Sequence, residues 1–395
     1  MKKLDLDKLI SRKGTSSTKF DAIAEMVGDH TDVLPMWIAD MDFETPDFII
    51  EAIQKRLNHR ILGYTLPSKE YYVTLQDWFE KRYGFRPERE QLCYTPGIVS
   101  GIYKVIQALT HEGDGIALCP PVYHPFAQVI RGSRRKMVEA PLILRDERYE
   151  IDFDALDRAL DRALAQSKIL IWCHPHNPGG RVWSMDELKK VAHLAHSHGV
   201  VVISDEIHAD LTYKKFKHTP FPAVSEEAQA CSLSFMAPSK AFNMPGIIAS
   251  HIYIPDDKLR EEVFSYLEIN CLDAGSAPTF EAVIAAYSQG EEWLSEVMDY
   301  IEENVKFVQE YLKNNIPQIK MLIPEASFLI FLDCRELGMS GEELNKFFIE
   351  KARLLLNNGT MFGTGGEGFM RLNIGTQRSV LKEAMERLHT AVESL

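Results

Sequence analysis

Residues 168–181 read KILIWCHPHNPGGR, residues 200–208 read VVVISDEIH and residues 230–243 read ACSLSFMAPSKAFN. In each stretch a short apolar run ends at a group of polar residues. A helix that opens with the capping-box pair Ser184 and Glu187 is expected between the first two runs. Short apolar strands that alternate with helices are typical of a mainly parallel sheet covered on both faces. These stretches therefore predict an α/β fold whose functional residues follow the strand ends.

The alternation of strands and helices extends on both sides of these stretches. The strands expected up to this point of the chain are 91–95, 115–119, 168–173, 200–204, 230–235 and 250–254. After Pro255 the pattern changes to long helices and then to mixed strands and helices, which indicates an α+β region. We therefore expect a large domain over 46–285 and a smaller discontinuous domain made of 1–45 and 286–395.

The composition is that of an acidic globular protein. The chain has 395 residues, of which 45% are hydrophobic, and its 44 Lys and Arg against 57 Asp and Glu give a formal net charge of −13. This apolar content excludes a mostly disordered chain. The acidic balance argues against nucleic acid as the main partner, because phosphate binding needs a basic surface.

No membrane span, disulfide framework or metal site is expected. No apolar stretch approaches the roughly 18–20 residues that a bilayer crossing needs, and residues 1–12 lack the apolar core of a signal peptide. The six cysteines are scattered without a C-x-x-C pair. His174 and His176 have no third ligand spaced to complete a metal site. We therefore expect a cytoplasmic protein that binds neither metal nor membrane.

Five positions at the predicted strand ends suggest chemistry. Gly97 could turn backbone N–H groups toward a phosphate, although such turns are common in α/β proteins. Tyr123 could stack on a planar ligand or pack under the next helix, and Asn177 lies in an Asn-Pro-Gly-Gly turn. Asp205 follows a buried run, where a carboxylate needs a cation or a strong donor unless it caps a helix. Lys240 follows another such run, and desolvation favours the neutral amine that Schiff-base chemistry uses.

Together these five features fit one ligand. A phosphate turn, a stacking aromatic ring, an amide, a carboxylate and an amine would all serve a planar, phosphorylated aldehyde with a ring nitrogen. That ligand is pyridoxal 5′-phosphate. Asp205 would pair with the protonated ring nitrogen and keep the ring an electron sink, and Asn177 would donate to the ring hydroxyl oxygen.

The order of these segments resembles that of the fold-type I pyridoxal-phosphate enzymes. The segments are TPG (95–97), PPVY (120–123), HNPGGR (176–181), SDEIH (204–208) and APSKAFN (237–243). Within that group the chain is similar to the C–S β-lyase, or cystathionine β-lyase-like, branch of the class I and II aminotransferases. WIADMDF (37–43) is the most branch-specific segment, and the resemblance extends to RKGT (12–15) and KFD (19–21). It implies a mainly parallel sheet of the seven-stranded type flanked by helices, plus a smaller α+β domain.

The resemblance also implies a role for each matching residue. Lys240 matches the Schiff-base lysine, Asp205 the partner of the ring nitrogen, and Tyr123 the ring that stacks on the cofactor; these are the expected catalytic residues. Asn177 matches the partner of the ring hydroxyl. The other cofactor contacts that the resemblance implies are the backbone N–H groups of Ile98 and Val99, the side chain of Ser239, and His208.

Three further matches concern the substrate and the assembly. Tyr64 matches a tyrosine that reaches the phosphate from the neighbouring subunit, which implies a homodimer with shared active sites. Arg371 matches the arginine that holds the substrate α-carboxylate, a group that its planar fork suits; taken alone, Arg371 could equally form a surface ion pair. Ala39 would add a backbone contact to the same carboxylate.

Departures from the aminotransferase pattern favour a lyase. His208 stands where many aminotransferases carry a tyrosine, Ile248 where they carry a phosphate-binding arginine, and Ala237 where many relatives carry a serine. The expected function is therefore β-elimination from S-substituted L-cysteines such as cystathionine, which gives a thiol, pyruvate and ammonia. The alternatives are an aminotransferase and, from another class, a pyridoxal-phosphate-binding regulator.

Overall fold

A computed structural model describes residues 4–28, 30, 32–161 and 167–395, and its largest feature is a seven-stranded sheet. Across the sheet the strands are Leu92–Thr95, Ser250–Tyr253, Ser232–Met236, Val201–Asp205, Ser167–Cys173, Gly115–Leu118 and Lys136–Glu139. Neighbouring strands are parallel except at Ser250–Tyr253, which runs antiparallel to the strand on each side. The prediction of a mainly parallel, seven-stranded sheet is confirmed.

The central strands are mostly apolar because both faces of the sheet are covered there. In Ser167–Cys173, Ile169 and Ile171 enter one hydrophobic cluster, whereas Leu170 and Trp172 enter a second cluster on the opposite face. Side chains alternate between the two faces of a strand, so a strand buried on both faces is a nearly continuous apolar run. Burial of the strands on both faces therefore explains the apolar runs from which the α/β fold is predicted.

Helices precede, connect and follow the strands, and those packed against the main sheet cover its two faces. In chain order they are Thr18–Asp21, Ile23–Val27, Asp47–Asn58, Lys69–Tyr83, Ile98–Leu109, Pro125–Gly132, Phe153–Leu160, Met185–His198, Glu226–Cys231, Pro238–Ala241, Asp257–Ile269, Ala277–Gln289, Glu291–Asn315, Gly341–Lys346 and Arg378–Glu393. The predicted capping box is present, since Ser184 and Glu187 bond each other's backbone N–H groups. Ser68 caps another helix by accepting a hydrogen bond from the Tyr71 N–H at 3.1 Å.

Two details of the main sheet differ from the expectation. The strand expected from Ala230 begins at Ser232, because Ser225 caps a short helix, Glu226–Cys231, that contains Ala230. The edge strand Lys136–Glu139 is not predicted by the sequence pattern. Its side chains are exposed or half-buried, so it carries no apolar run that would indicate a strand.

A second, four-stranded sheet lies in the C-terminal part of the chain. Its strands are all antiparallel and lie in the order Lys320–Leu322, Leu329–Asp333, Phe369–Asn373 and Asn357–Asn358. This mixture of antiparallel strands and long helices confirms the expected α+β region. The boundaries 1–45, 46–285 and 286–395 stay a prediction, and residues 1–3, 29, 31 and 162–166 of those ranges lie outside the described residues.

Two small strand pairs complete the fold. Leu34–Pro35 runs parallel to Leu354–Leu355 and so joins the N-terminal segment to the C-terminal region. Ile143–Arg145 and Arg148–Glu150 form a hairpin. Within the described residues, no helix combines the length and the apolar character that crossing a membrane requires.

Candidate active site

The predicted residues at the strand ends line one cavity of about 380 Å³. The cavity lies where the strands Ser167–Cys173, Val201–Asp205 and Ser232–Met236 end, as expected for the carboxyl edge of a parallel sheet. The structure brings together at this cavity nearly all of the predicted cofactor-binding residues and Ala39. They are Ala39, Ile98, Val99, Tyr123, Asn177, Asp205, His208, Ser239 and Lys240.

Asp205 is a buried carboxylate at the end of its strand. Its side chain accepts a hydrogen bond from the Ile207 N–H at 3.1 Å. Burial raises the pKa of Asp205 to about 7, although the Ile207 N–H and the charge of Lys240 oppose the shift. A cationic donor in the cavity would lower this pKa and stabilise the ionised form. The protonated ring nitrogen predicted from the sequence is such a donor, so Asp205 fits the cofactor.

Lys240 lines the same cavity and lies in the short helix Pro238–Ala241. Its Nζ donates to the carbonyl oxygen of Ala39 at 2.5 Å. Burial lowers the pKa of Lys240 to about 8; the negative charge of Asp40 opposes that shift, and the positive charge of Arg371 adds to it. A lysine with this pKa is partly neutral near pH 7–8, which a nucleophile or base requires.

Arg371 is buried beside the cavity in the strand Phe369–Asn373. Its guanidinium donates to Asn177 Oδ1 at 3.0 Å, to Asn357 Oδ1 at 2.6 Å and to the carbonyl oxygen of Trp37 at 3.1 Å. Its Nε is buried without a hydrogen-bond partner. In the described part of the chain, none of these partners is a carboxylate. A buried guanidinium without an anion is costly, and a substrate carboxylate would supply the missing charge.

The expected phosphate contacts lie at the start of the helix Ile98–Leu109. Gly97 precedes this helix with a φ of +84°, a conformation that favours glycine. The first N–H groups of a helix have no acceptor within it, so those of Ile98 and Val99 are available to an anion. Ser239 lines the same cavity and adds a hydroxyl group. This set of donors fits a phosphate.

His208 and Tyr123 also line the cavity in which the ring of the expected cofactor would lie. Burial lowers the pKa of His208 to about 3, and the charges of Lys240 and Arg371 lower it further, so its ring is neutral. His208 Nδ1 is buried without a hydrogen-bond partner. Tyr123 is half-buried, and burial raises the pKa of its hydroxyl. A neutral imidazole with a free nitrogen and an aromatic face are both suited to contact a heterocycle.

Tyr64 is the one predicted cofactor-binding residue that the structure does not bring to the cavity. It is fully exposed on the loop between the helices Asp47–Asn58 and Lys69–Tyr83. The predicted contact was from a neighbouring subunit, so exposure in a single protomer does not contradict it. The role of Tyr64 stays a prediction.

The two histidines near Asn177 make other contacts. His176 is buried, and its Nε2 lies 2.9 Å from the carbonyl oxygen of Pro121. The ring of His174 stacks on that of His218, with ring centroids 4.3 Å apart. Both histidines therefore help to pack the loops under the cavity.

Sequence reasoning missed the residues that orient Arg371 and Lys240 from other parts of the chain. Asn357 is the clearest case, because it contacts Arg371 from a strand two residues long. Asp40 acts on Lys240 through its charge. The WIADMDF segment was a signal for Asp40, since it carries two carboxylates in an otherwise apolar stretch. No local signal points to Asn357, because its role depends on a pairing between distant segments.

Comparisons with known proteins identify the family of the chain. A family model described as aminotransferase class I and II matches residues 31–388. The chain is 40% identical over 389 residues to cystathionine beta-lyase PatB of Bacillus subtilis, which covers 98% of this chain and 100% of that relative.

Solved structures of other proteins match this chain over nearly its whole length. The structure of cystalysin from Treponema denticola, which contains a pyridoxal 5′-phosphate cofactor, matches with a TM-score of 0.94 at 33% identity and covers 99% of each chain. The PLP-bound C-S lyase from Staphylococcus hominis matches with a TM-score of 0.89 at 30% identity and covers 98% of each chain. Together with the family match, this likeness shows that the chain has the fold-type I architecture and belongs to the class I and II aminotransferase family.

Proposed function

We propose that this protein is a pyridoxal-phosphate-dependent C–S β-lyase that acts on S-substituted L-cysteines such as cystathionine. One observation carries the proposal: Lys240, a lysine with a lowered pKa, lines the cavity, and Arg371, a buried guanidinium without an anion, bonds Asn177 in the wall of the same cavity. Such a site can hold an amino acid by its carboxylate and remove its Cα proton. The names of the relatives, a cystathionine beta-lyase and a C-S lyase, support elimination at sulfur.

The residues that would hold the cofactor are those that line the cavity. Ile98, Val99 and Ser239 would bind its phosphate, Tyr123 would contact the ring face, and Asn177, Asp205 and His208 would surround the ring's polar edge. When bound, pyridoxal phosphate withdraws electrons from the substrate's Cα and so makes its proton acidic. Asp205 would remain ionised opposite the ring nitrogen, because a buried cation lowers the pKa of a neighbouring carboxyl group.

Arg371 would bind the α-carboxylate of the substrate through two parallel hydrogen bonds. Asn177 and Asn357 already fix the plane of its guanidinium, so little side-chain freedom is lost on binding. The backbone around Ala39 would lie beside the same carboxylate. These contacts would place the Cα–H bond of the substrate toward Lys240.

Lys240 would act as the general base, since its pKa of about 8 leaves a usable neutral fraction at neutral pH. It would take the proton from Cα, and the Cβ–S bond would then break with release of the sulfur group as a thiol. Addition of water to the remaining three-carbon unit would give pyruvate and ammonia. An aminotransferase would instead need a keto acid to complete its reaction.

The protein would work as a homodimer, with Tyr64 contacting the phosphate in the partner's site. The loop around Tyr64 and the end of the preceding helix carry exposed apolar side chains, which favour burial against a second protomer; they are Leu57 in the helix and Ile61, Leu62 and Leu66 in the loop. A cytoplasmic location is supported by the six cysteines, all of which are free thiols. We also propose the large domain at 46–285 and the small domain at 1–45 and 286–395.

The test begins with the purified protein and added pyridoxal phosphate. We expect a visible absorbance band from the bound cofactor and turnover of cystathionine without any keto acid. Lys240→Ala should lose both. A band with turnover that depends strictly on a keto acid would favour the aminotransferase instead, and a Lys240→Ala variant that keeps the band would overturn the assignment of Lys240. Sedimentation of the same sample as a monomer would contradict the dimer.

A further inference from the structure

The sequence segments RKGT (12–15) and KFD (19–21) have no role in the proposed chemistry, yet each supplies a cation that pairs with a carboxylate close in sequence to Ala39, which lines the cavity. Arg12 bonds both carboxylate oxygens of Asp40, with distances of 3.1 and 2.5 Å, and also reaches Asp42 Oδ1 at 3.2 Å. Lys19 is almost fully buried and bonds Asp42 Oδ2 at 2.7 Å. We call this group of four charged residues, Arg12, Lys19, Asp40 and Asp42, the N-terminal clasp.

The loop that the clasp holds also contacts both predicted reactive residues. The carbonyl oxygen of Ala39 accepts from Lys240 Nζ, and the carbonyl oxygen of Trp37 accepts from Arg371 Nη2. Trp37 is fixed in turn, because its ring N–H donates to the carbonyl oxygen of Lys19 at 3.2 Å. A movement of the loop would therefore reach Lys240 and Arg371 together.

The shape of this loop is already secured by neutral hydrogen bonds. Asn243 bonds the backbone of Met41 and Phe43, and Asn373 donates to the carbonyl oxygens of Ile38 and Asp40. Lys19 and Asp40 are buried and Arg12 and Asp42 are half-buried, and withdrawing these charges from water costs desolvation energy that loop shape alone does not require. The charges of the clasp therefore call for an electrostatic explanation.

We propose that Arg12 is a positioning residue that neutralises Asp40, so that the loop can hold Lys240 without a free negative charge next to its amine. This inference rests on the proposed function, in which Lys240 must lose a proton to act as a base. Asp40 supplies the largest charge effect on Lys240, and it favours the protonated amine. A carboxylate paired bidentately with a guanidinium exerts a weaker field than a free one.

Among the described residues, the charges that act on the amine of Lys240 are those of Asp40, Asp205 and Arg371, and the titratable side chains of His208 and Tyr123 line the same cavity. Asp40 and Asp205 favour its protonated form, Arg371 opposes it, and His208 is neutral because its own pKa is about 3. Removal of the Arg12 cation should therefore raise the pKa of Lys240, since Asp40 would then act unscreened. Removal of the Asp40 carboxylate should lower it.

The test measures Lys240 itself in the full-length chain after removal of the cofactor. The rate at which acetic anhydride labels Lys240, followed by peptide mass spectrometry over a pH series, gives the midpoint of its titration. We expect Arg12→Gln to raise the midpoint by about half a unit or more and Asp40→Asn to lower it by a similar amount. Arg12→Lys, which keeps the charge, should stay close to the wild type.

Lys8→Gln is the matched control, because it removes a cation of the same segment that pairs with Glu44 at the exposed surface. The titration midpoint of Lys240 in this variant should equal that of the wild type. A purely structural clasp would shift the Arg12→Gln and Asp40→Asn midpoints in the same direction or not at all, and either result would overturn the proposal. If Arg12→Gln does not fold, Arg12→Met, which keeps an aliphatic stem without the charge, takes its place, and the same rise in the midpoint is expected. Failure of the proposed function is separate: it would show as an absent visible band in the wild type, while the labelling result would still stand.

Discussion

The two ends of the active site are built in different ways. At the sheet edge, Asp205 ends its strand, and Asn177 and Lys240 each lie four residues beyond a strand end, so parallel strand order brings the three together. At the carboxylate end, Arg371 is oriented by Trp37, 334 positions away, and by Asn357 from a neighbouring strand. The sheet edge is therefore fixed by local sequence, whereas the carboxylate end depends on side-chain hydrogen bonds between distant segments.

The largest effect should come from the sheet edge. Lys240→Ala removes the proposed base, and we expect turnover of cystathionine to fall roughly 10⁴-fold. The fold should persist, because Lys240 makes a single hydrogen bond, to Ala39, among the contacts described. Pyruvate release and circular dichroism of the same preparation measure the two outcomes. Turnover within tenfold of the wild type would show that another residue takes the Cα proton.

The second-largest effect should come from a substitution at the carboxylate end of the site. Arg371→Lys keeps the charge and loses the planar fork, so we expect kcat/KM to fall about 100-fold, mostly through KM. Arg134→Lys is the matched control, since Arg134 is exposed and pairs with Glu112. Steady-state kinetics with cystathionine measure kcat and KM of both variants. An unchanged KM in the Arg371 variant would mean that the substrate carboxylate binds elsewhere.

The difference between the two ends also explains what the sequence could predict. Strand ends follow apolar runs that are readable from local pattern, so the sequence alone is enough to place Asp205 and Lys240 at the sheet edge. The same pattern misplaced the start of the strand at Ser232, because a helix of six residues has too few positions for a clear period. Asn357 could not be predicted, because its contact with Arg371 depends on the pairing of the strands Asn357–Asn358 and Phe369–Asn373. No local pattern in the sequence indicates that pairing.

A smaller effect concerns the stability that Asp205 contributes. The ionised carboxylate that the proposed function uses is the form that destabilises the cofactor-free protein. Its pKa of about 7 lies above the value of a free carboxyl group, so the native state holds a proton that the unfolded chain releases. Stability from this group is full at low pH and declines as the pH rises toward 7. Asp205→Asn should therefore raise the melting temperature of the cofactor-free protein by a few degrees at pH 8 and have little effect at pH 4. Calorimetry at both pH values tests this, and an equal shift at both would contradict the raised pKa.

The smallest effect should come from a helix cap outside both ends of the site. Ser68 Oγ accepts the Tyr71 N–H at the start of Lys69–Tyr83. Ser68→Ala should reduce the free energy of unfolding by about 1 kcal/mol. Kinetic constants should stay at the wild-type level, because this cap contacts none of the residues that line the cavity. Urea unfolding provides the measurement, and a change in KM would show that the helix affects the site.

Elimination at sulfur is the central claim, and product stoichiometry tests it most directly. The purified, cofactor-loaded protein is given cystathionine without any keto acid, and thiol, pyruvate and ammonia are measured in one sample. The proposed function predicts that the three products appear in equal amounts over many turnovers and that added keto acid does not raise the rate. Release that stops after one equivalent and resumes on addition of a keto acid would contradict it.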